Sequence, residues 1–293
     1  QRLLETRIVA AELSALPSAS THDQFGVSVA LSGETALVGA RLCNEGVVGQ
    51  GCAYVFTDTG TAWTQQGDPL AVSDPAQDDW LGFSVALFGD TALLGAPFRD
   101  DGGTDSGSAY VFTRDGSGTW TEQVRLTADD AAADDQFGIS VALWDDTVFV
   151  GAPWDDDKGD FSGSVYVFER GATGSWTEEE KFGPADAVVA KRLGRAVSLD
   201  GDTALVGAPY DHDGLFESGS VYVFIRSGSA WVQQTKLRAS APGWGHRFGR
   251  SVSLCGDTAL VGTPFSHDGG FYSGSAYVFS RVASGTWSEQ AKL

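Results

Sequence analysis

Apolar and polar positions follow one order along this chain, and the order comes round five times. Ser84-Val85-Ala86-Leu87 alternates small with larger apolar residues, the period of two that a strand needs. Gly89-Asp90 then predicts a tight hairpin turn. Thr91 to Ala96 is apolar on both faces, and so is Ala109 to Phe112, so both predict strands buried on two sides. Trp120 to Leu126 alternates apolar residues with Thr121, Gln123 and Arg125, which predicts a strand with one wet face.

The cycle is marked by Phe25-Gly26, Leu81-Gly82, Phe137-Gly138, Leu193-Gly194 and Phe248-Gly249, at steps of 56, 56, 56 and 55 residues. Each pair opens text such as "FGISVALWDDTVFVGAP", followed by an acidic, glycine-rich loop and then "SVYVF". Each unit closes on a tryptophan: Trp63, Trp120, Trp176, Trp231 or Trp287. A unit of four strands with two apolar faces cannot bury both alone, so copies must stack. Stacked radially, four-stranded antiparallel units make an all-β, five-bladed β-propeller. The repeats fall at about 21–70, 71–126, 127–182, 183–237 and 238–293, one propeller after an N-terminal segment, 1–20. Within that segment "LLETRIVAAELSAL" reads as a short helix with Leu4, Ile8 and Ala11 on one face, or as a strand that is extra or closes the ring.

The repeat resembles the FG-GAP family, the repeat of the integrin α-chain propeller. The marks stand here as Phe137-Gly138 and Gly151-Ala152-Pro153, and the text is most similar to the compact form in bacterial secreted proteins. The resemblance implies a propeller, and binding or adhesion more often than catalysis. There are departures. Integrin-type propellers have seven blades and this chain shows five repeats. Their calcium loops join the first and second strands, where this chain has only turns such as Asp200-Gly201-Asp202. The family's calcium site therefore carries over to no residue here.

Charge narrows the partners. With 39 acids against 19 bases, the net charge is −20. Such a field repels phosphate backbones and anionic lipid, so nucleic acid and membrane surfaces are poor partners. No apolar run reaches the ~20 residues that span a bilayer, so membrane insertion is not expected. The chain holds no Met, which reads as a processed, secreted or surface-displayed chain whose signal segment is gone. Cys43 and Cys52 bracket one loop and suggest a local disulfide, with Cys255 left over. No signal for an oligomeric state is present.

In an up-and-down blade the second-to-third and fourth-to-first loops share one face. More than half of the 39 acids fall in them, so that face should be negative and should carry the binding. One loop column is always acidic: Glu45, Asp101, Asp157, Asp213, Asp268. Two copies are rich enough in carboxylates to suggest calcium: Asp155, Asp157 and Asp160 in the third, Asp211, Asp213 and Glu217 in the fourth. The competing reading is that these aspartates only form turns. After each Gly-Ala-Pro or Gly-Thr-Pro stands an aromatic: Phe98, Trp154, Tyr210 or Phe265. With Asp101 and Asp268 these are binding candidates, set against simple packing between blades.

No His-Glu-x-x-His, Gly-x-Ser-x-Gly or P-loop occurs, so no enzyme is expected. The expected function is an extracellular interaction or adhesion module. Its acidic loop face binds a protein or surface component, with Ca²⁺ assisting. The alternatives are a lectin that binds glycans and a structural spacer in a larger assembly.

Overall fold

The computed structural model describes residues 22–183, 190–283 and 285–293. The helix and strand readings of the segment 1–20 lie outside these residues. Twenty strands form five antiparallel sheets of four, each in simple sequence order. Blade 1 holds β1 (Phe25–Ser32), β2 (Thr35–Ala40), β3 (Cys52–Asp58) and β4 (Trp63–Gln65). Blade 2 holds β5 (Ser84–Phe88), β6 (Thr91–Ala96), β7 (Ser108–Arg114) and β8 (Trp120–Leu126). Blade 3 holds β9 (Ser140–Trp144), β10 (Thr147–Ala152), β11 (Ser164–Arg170) and β12 (Trp176–Phe182). Blade 4 holds β13 (Ala196–Asp200), β14 (Thr203–Ala208), β15 (Ser220–Ser227) and β16 (Ala230–Leu237). Blade 5 holds β17 (Ser251–Cys255), β18 (Thr258–Thr263), β19 (Ser275–Arg281) and β20 (Trp287–Lys292). The protein is thus an all-β, five-bladed β-propeller.

Burial follows the sequence pattern. The second strands of blades 1 to 4 are buried throughout, and β8 alternates between half-buried and exposed positions before its buried final Leu126. The first strands stand around the axis, β1 against β5, β5 against β9, β9 against β13 and β13 against β17. Leu37, Ala53 and Val55 of blade 1 pack on Val85, Leu87 and Leu94 of blade 2, and equivalent apolar sets fill the next three blade interfaces.

The two repeated marks meet at those interfaces. A Cβ on Gly95, of the Gly-Ala-Pro, would lie 2.0 Å from the carbonyl oxygen of Gly138, of the next blade's Phe-Gly. Gly39 meets Gly82, Gly151 meets Gly194 and Gly207 meets Gly249 at 2.0–2.1 Å in the same way. Two backbones approach so closely there that only glycine fits. Beside three of these four contacts a first-strand serine donates across the interface: Ser28, Ser84 and Ser140 reach the carbonyl oxygens of Gly82, Gly138 and Gly194 at 2.7–2.8 Å.

The pattern stops at one seam. Among the described residues no comparable packing joins β17 to β1. Leu260 is 42% exposed and Leu293 71%, although the equivalent Leu205 and Leu237 of blade 4 are buried. On the other side Val29 and Leu31 are exposed, and neither Gly26 nor Gly262 has a backbone neighbour from another blade.

Candidate functional site

Acids crowd the loop face, but the protein supplies its own cations to them. On the fourth strand of each of blades 2 to 5, a base lies opposite the buried tyrosine of the third: Arg125 opposite Tyr110, Lys181 opposite Tyr166, Lys236 opposite Tyr222 and Lys292 opposite Tyr277. Each base points into its own acidic loop. Lys181 Nζ lies 2.6 Å from Asp130, 2.7 Å from Asp155 and 2.5 Å from Asp157. Lys236 Nζ lies 2.6 Å from Asp211 and 2.9 Å from Asp213. Lys292 Nζ sits 2.5 Å from Asp268, and Arg125 meets Asp74 and Asp101 at 2.6 and 3.2 Å. These contacts move the titrations. Lys181 is held above its ordinary value by its hydrogen bonds to Asp130, Asp155 and Asp157, against the opposing effect of burial. The hydrogen bond from Lys292 holds the Asp268 carboxyl down at about 2. Burial and the two nearby carboxylates push the Tyr166 phenol well up.

This geometry bears on the calcium candidates. Asp155 and Asp157 do converge, but on an ammonium. Asp160 is exposed and its carbonyl accepts from the Ala190 amide. Asp211 and Asp213 converge on Lys236, while Glu217 pairs with Arg247 at 3.0 Å. Among the described residues no group of three or more His, Cys, Asp or Glu is placed to hold a metal ion. A cation would have to displace lysine from its carboxylates, so the residues present do not fit calcium.

Blade 1 lacks such a base and is held differently. Cys43 and Cys52 are joined, with Cα atoms 5.6 Å apart. The same two columns carry a hydrogen bond in blade 4, Ser220 to Asp211 at 2.6 Å, and in blade 5, Ser266 to Ser275 at 2.8 Å. Cys255 is free and exposed.

The aromatic column is brought together, with arginines between its rings. Trp80 packs edge-on to Phe98 at 4.4 Å. Arg192 lies over Trp154 at 3.7 Å and Tyr210 at 4.1 Å, and Arg247 lies over Tyr210 at 4.3 Å and Phe265 at 4.9 Å. Phe98, Trp154, Tyr210 and Phe265 are therefore half-buried and spent largely on blade-to-blade stacking.

Other rings on the same face are free. Phe271 is 81% exposed and Trp244 72%, with Phe216, Tyr272 and Phe161 also exposed. Phe161 packs on Trp154 in blade 3, and the others gather in a belt over blades 4 and 5: His212 to Phe216 at 4.7 Å, Phe216 to Trp244 at 6.2 Å, His267 to Phe271 at 5.0 Å and Phe271 to Tyr272 at 4.0 Å. His246 joins the belt at 5.3 Å from His267. Sequence reasoning missed these residues. The available signal was the loop text "DGLFESG" and "DGGFYSG", which places aromatics where turn residues suffice. It also missed the arginines beside two of the Leu-Gly or Phe-Gly marks, in "KRLGR" and "HRFGR".

Comparison with known proteins agrees with this repeat structure. The model of the FG-GAP repeat matches residues 10–56, 63–112, 120–168, 176–224 and 231–279. A crystal structure of a protein from Lactobacillus plantarum, determined by a structural genomics consortium, aligns with a TM-score of 0.47 at 13% identity. That alignment covers 91% of this chain and 84% of the other.

Proposed function

The chain belongs to the FG-GAP repeat family, and from that membership and the loop-face geometry we propose a non-enzymatic, extracellular interaction module that binds a protein partner. The carrying observation is the belt of exposed rings on blades 4 and 5. Large contiguous apolar patches are uncommon on a monomer surface and mark interaction sites. Rigid aromatic side chains also lose little entropy on binding and dominate hot spots. Phe216, Trp244, Phe271 and Tyr272 are the anchors, and the acidic columns around Asp213 and Asp268 form a polar rim. The rim steers basic partners toward the face and repels acidic ones.

This shifts the expected ligand contact from the acidic column to the rings beside it. Calcium takes no part in this reading, because a lysine ammonium already occupies the point where the aspartates converge. The test is capture from a cell-surface extract on the immobilised chain, compared with the Phe216→Ser/Trp244→Ser/Phe271→Ser variant. A protein retained by the parent chain and lost by the variant is the expected result. Identical captured sets would sink the reading. A second reading, a lectin, is favoured by one observation: Trp244 and Phe271 each expose enough of a ring to stack on a sugar. A glycan array separates the two, since ordered sugar preference belongs only to the lectin.

A further inference from the structure

The inner rim of the loop face changes sign between the third and fourth copies. Two residues before the Phe-Gly or Leu-Gly stand Asp23, Asp79 and Asp135, then Lys191 and His246. One residue before it stand Gln24, Trp80 and Gln136, then Arg192 and Arg247. Directly after it stand Val27, Phe83 and Ile139, then Arg195 and Arg250. Blades 4 and 5 thus carry a basic arc in a chain of net charge −20.

Most of these bases have an evident occupation. Lys191 lies 3.6 Å from Asp211, and Arg192 and Arg247 are stacked on aromatic rings. Arg195 and Arg250 do not. They immediately precede the adjacent first strands β13 and β17 and line an axial channel of about 440 Å³. The rest of its wall alternates aliphatic side chains, Val85, Val141, Val197 and Val252 among them, with the serines Ser28, Ser84, Ser140 and Ser251. Among the described residues neither guanidinium has a carboxylate, a hydrogen-bond acceptor or a stacking ring. That is anomalous here, because acids outnumber bases two to one and arginines elsewhere do pair, such as Arg114 with Asp90 and Arg281 with Asp257. Burial pushes Arg195 down to about 10, with the like charge of Arg250 adding to the effect, and burial lowers Arg250 too. A desolvated pair of like charges opposes folding, and such costs persist at sites that serve a ligand.

We propose that this channel mouth binds a small organic carboxylate. The guanidinium forks of Arg195 and Arg250 hold the carboxylate, and the aliphatic wall takes its hydrocarbon body. Guanidinium matches the planar, two-oxygen geometry of a carboxylate. Phosphate fits less well. A dianion feels the negative field of the whole molecule twice over, and three of the four serines in the wall, Ser28, Ser84 and Ser140, already donate to glycine carbonyls.

The probe is sodium hexanoate, with acetate and inorganic phosphate as comparison anions at matched ionic strength. A ligand held only by the folded state raises the thermal midpoint through mass action, so about 10 mM hexanoate should raise it by roughly 2 °C or more. The Arg195→Met/Arg250→Met variant should melt higher than the parent without ligand and show no shift with hexanoate. Four results overturn the site: no shift in the parent chain, a shift with acetate or phosphate as large as that with hexanoate, a shift that survives in the double variant, or a double variant that melts no higher than the parent. Arg195→Lys keeps the charge and loses the fork, so calorimetric titration should give hexanoate at least tenfold weaker. Unchanged affinity there overturns the role of the fork.

Discussion

Asp135 shows how single residues pay for position in this fold. It precedes Gln136-Phe137-Gly138, it is buried, and its carboxylate accepts from the Ala132 amide at 2.9 Å. Burial pushes its carboxyl up to about 6 from 3.8. The folded chain therefore holds a proton that the unfolded chain has lost between those values, and stability falls as pH rises through that window. Asp135→Asn removes the ionisation and should stabilise the protein at pH 8 by about 1 kcal/mol, allowing for solvent screening, with the gain vanishing near pH 4. Urea melts at the two pH values check it. An equal effect at both would mean that the gain is not electrostatic. Lys181 is the opposite case, since its one ammonium bridges three carboxylates and one of them, Asp155, is buried. Lys181→Met keeps the aliphatic stem, strands those charges and should cost about 3 kcal/mol at neutral pH. Protonating the carboxylates should shrink that cost below about pH 4. A neutral-pH loss under ~1 kcal/mol would show that water already screens the cluster.

At the scale of elements, strands were legible because burial on both faces leaves an unbroken apolar run and burial on one leaves a period of two, and the blade count because the marks recur five times. Thr91 to Ala96 and Trp120 to Leu126 stand in the structure with the bounds read from sequence. The lysine contacts were not legible, because Lys181 reaches Asp157 only through the pairing of β12 with β11, which fixes who faces whom. Nor was the free aromatic belt, since loop residues carry no period. The basic arc of blades 4 and 5 stood in plain text but was hidden by reading the repeat as an average. The marks themselves make a direct prediction. A Cβ on Gly151 would lie 2.0 Å from the Gly194 carbonyl oxygen, whereas a Cβ on Gly262 meets only the Ser251 hydroxyl closely. Gly151→Ala should therefore cost at least ~3 kcal/mol, while Gly262→Ala costs under ~1, since a serine rotamer can yield and a backbone cannot. Equal denaturation midpoints for the two variants would contradict this account of the interface.

For the whole molecule, the structure differs from the even ring that five equal repeats suggest. Four interfaces are built alike, and among the described residues the fifth position is a seam with Leu260 and Leu293 on one side and Val29 and Leu31 on the other. Equal repeats could not reveal it, because the same residues that pack in blade 4 are exposed in blade 5. The belt of rings and the basic arc both lie on blades 4 and 5, and the seam borders blade 5, so the departures from symmetry gather on one side of the scaffold. Acidic loops that looked like metal ligands instead brace blades 2 to 5, each through its own lysine or arginine. A thermal melt in millimolar Ca²⁺ should match one in EDTA to within about 1 °C, because binding would require lysine to leave. A rise of several degrees with Ca²⁺ alone would return Asp155, Asp157, Asp211 and Asp213 to the role of ligands.

The most direct test of the binding claim is the dissociation constant for a captured protein partner. It should be measured with the parent chain and with the Phe216→Ser/Trp244→Ser/Phe271→Ser variant, each in EDTA and in Ca²⁺. Loss of three exposed anchors should weaken binding by about 100-fold or more, and chelation should change nothing. Binding that survives the variant, or that disappears in EDTA, would contradict an aromatic, calcium-independent interaction face.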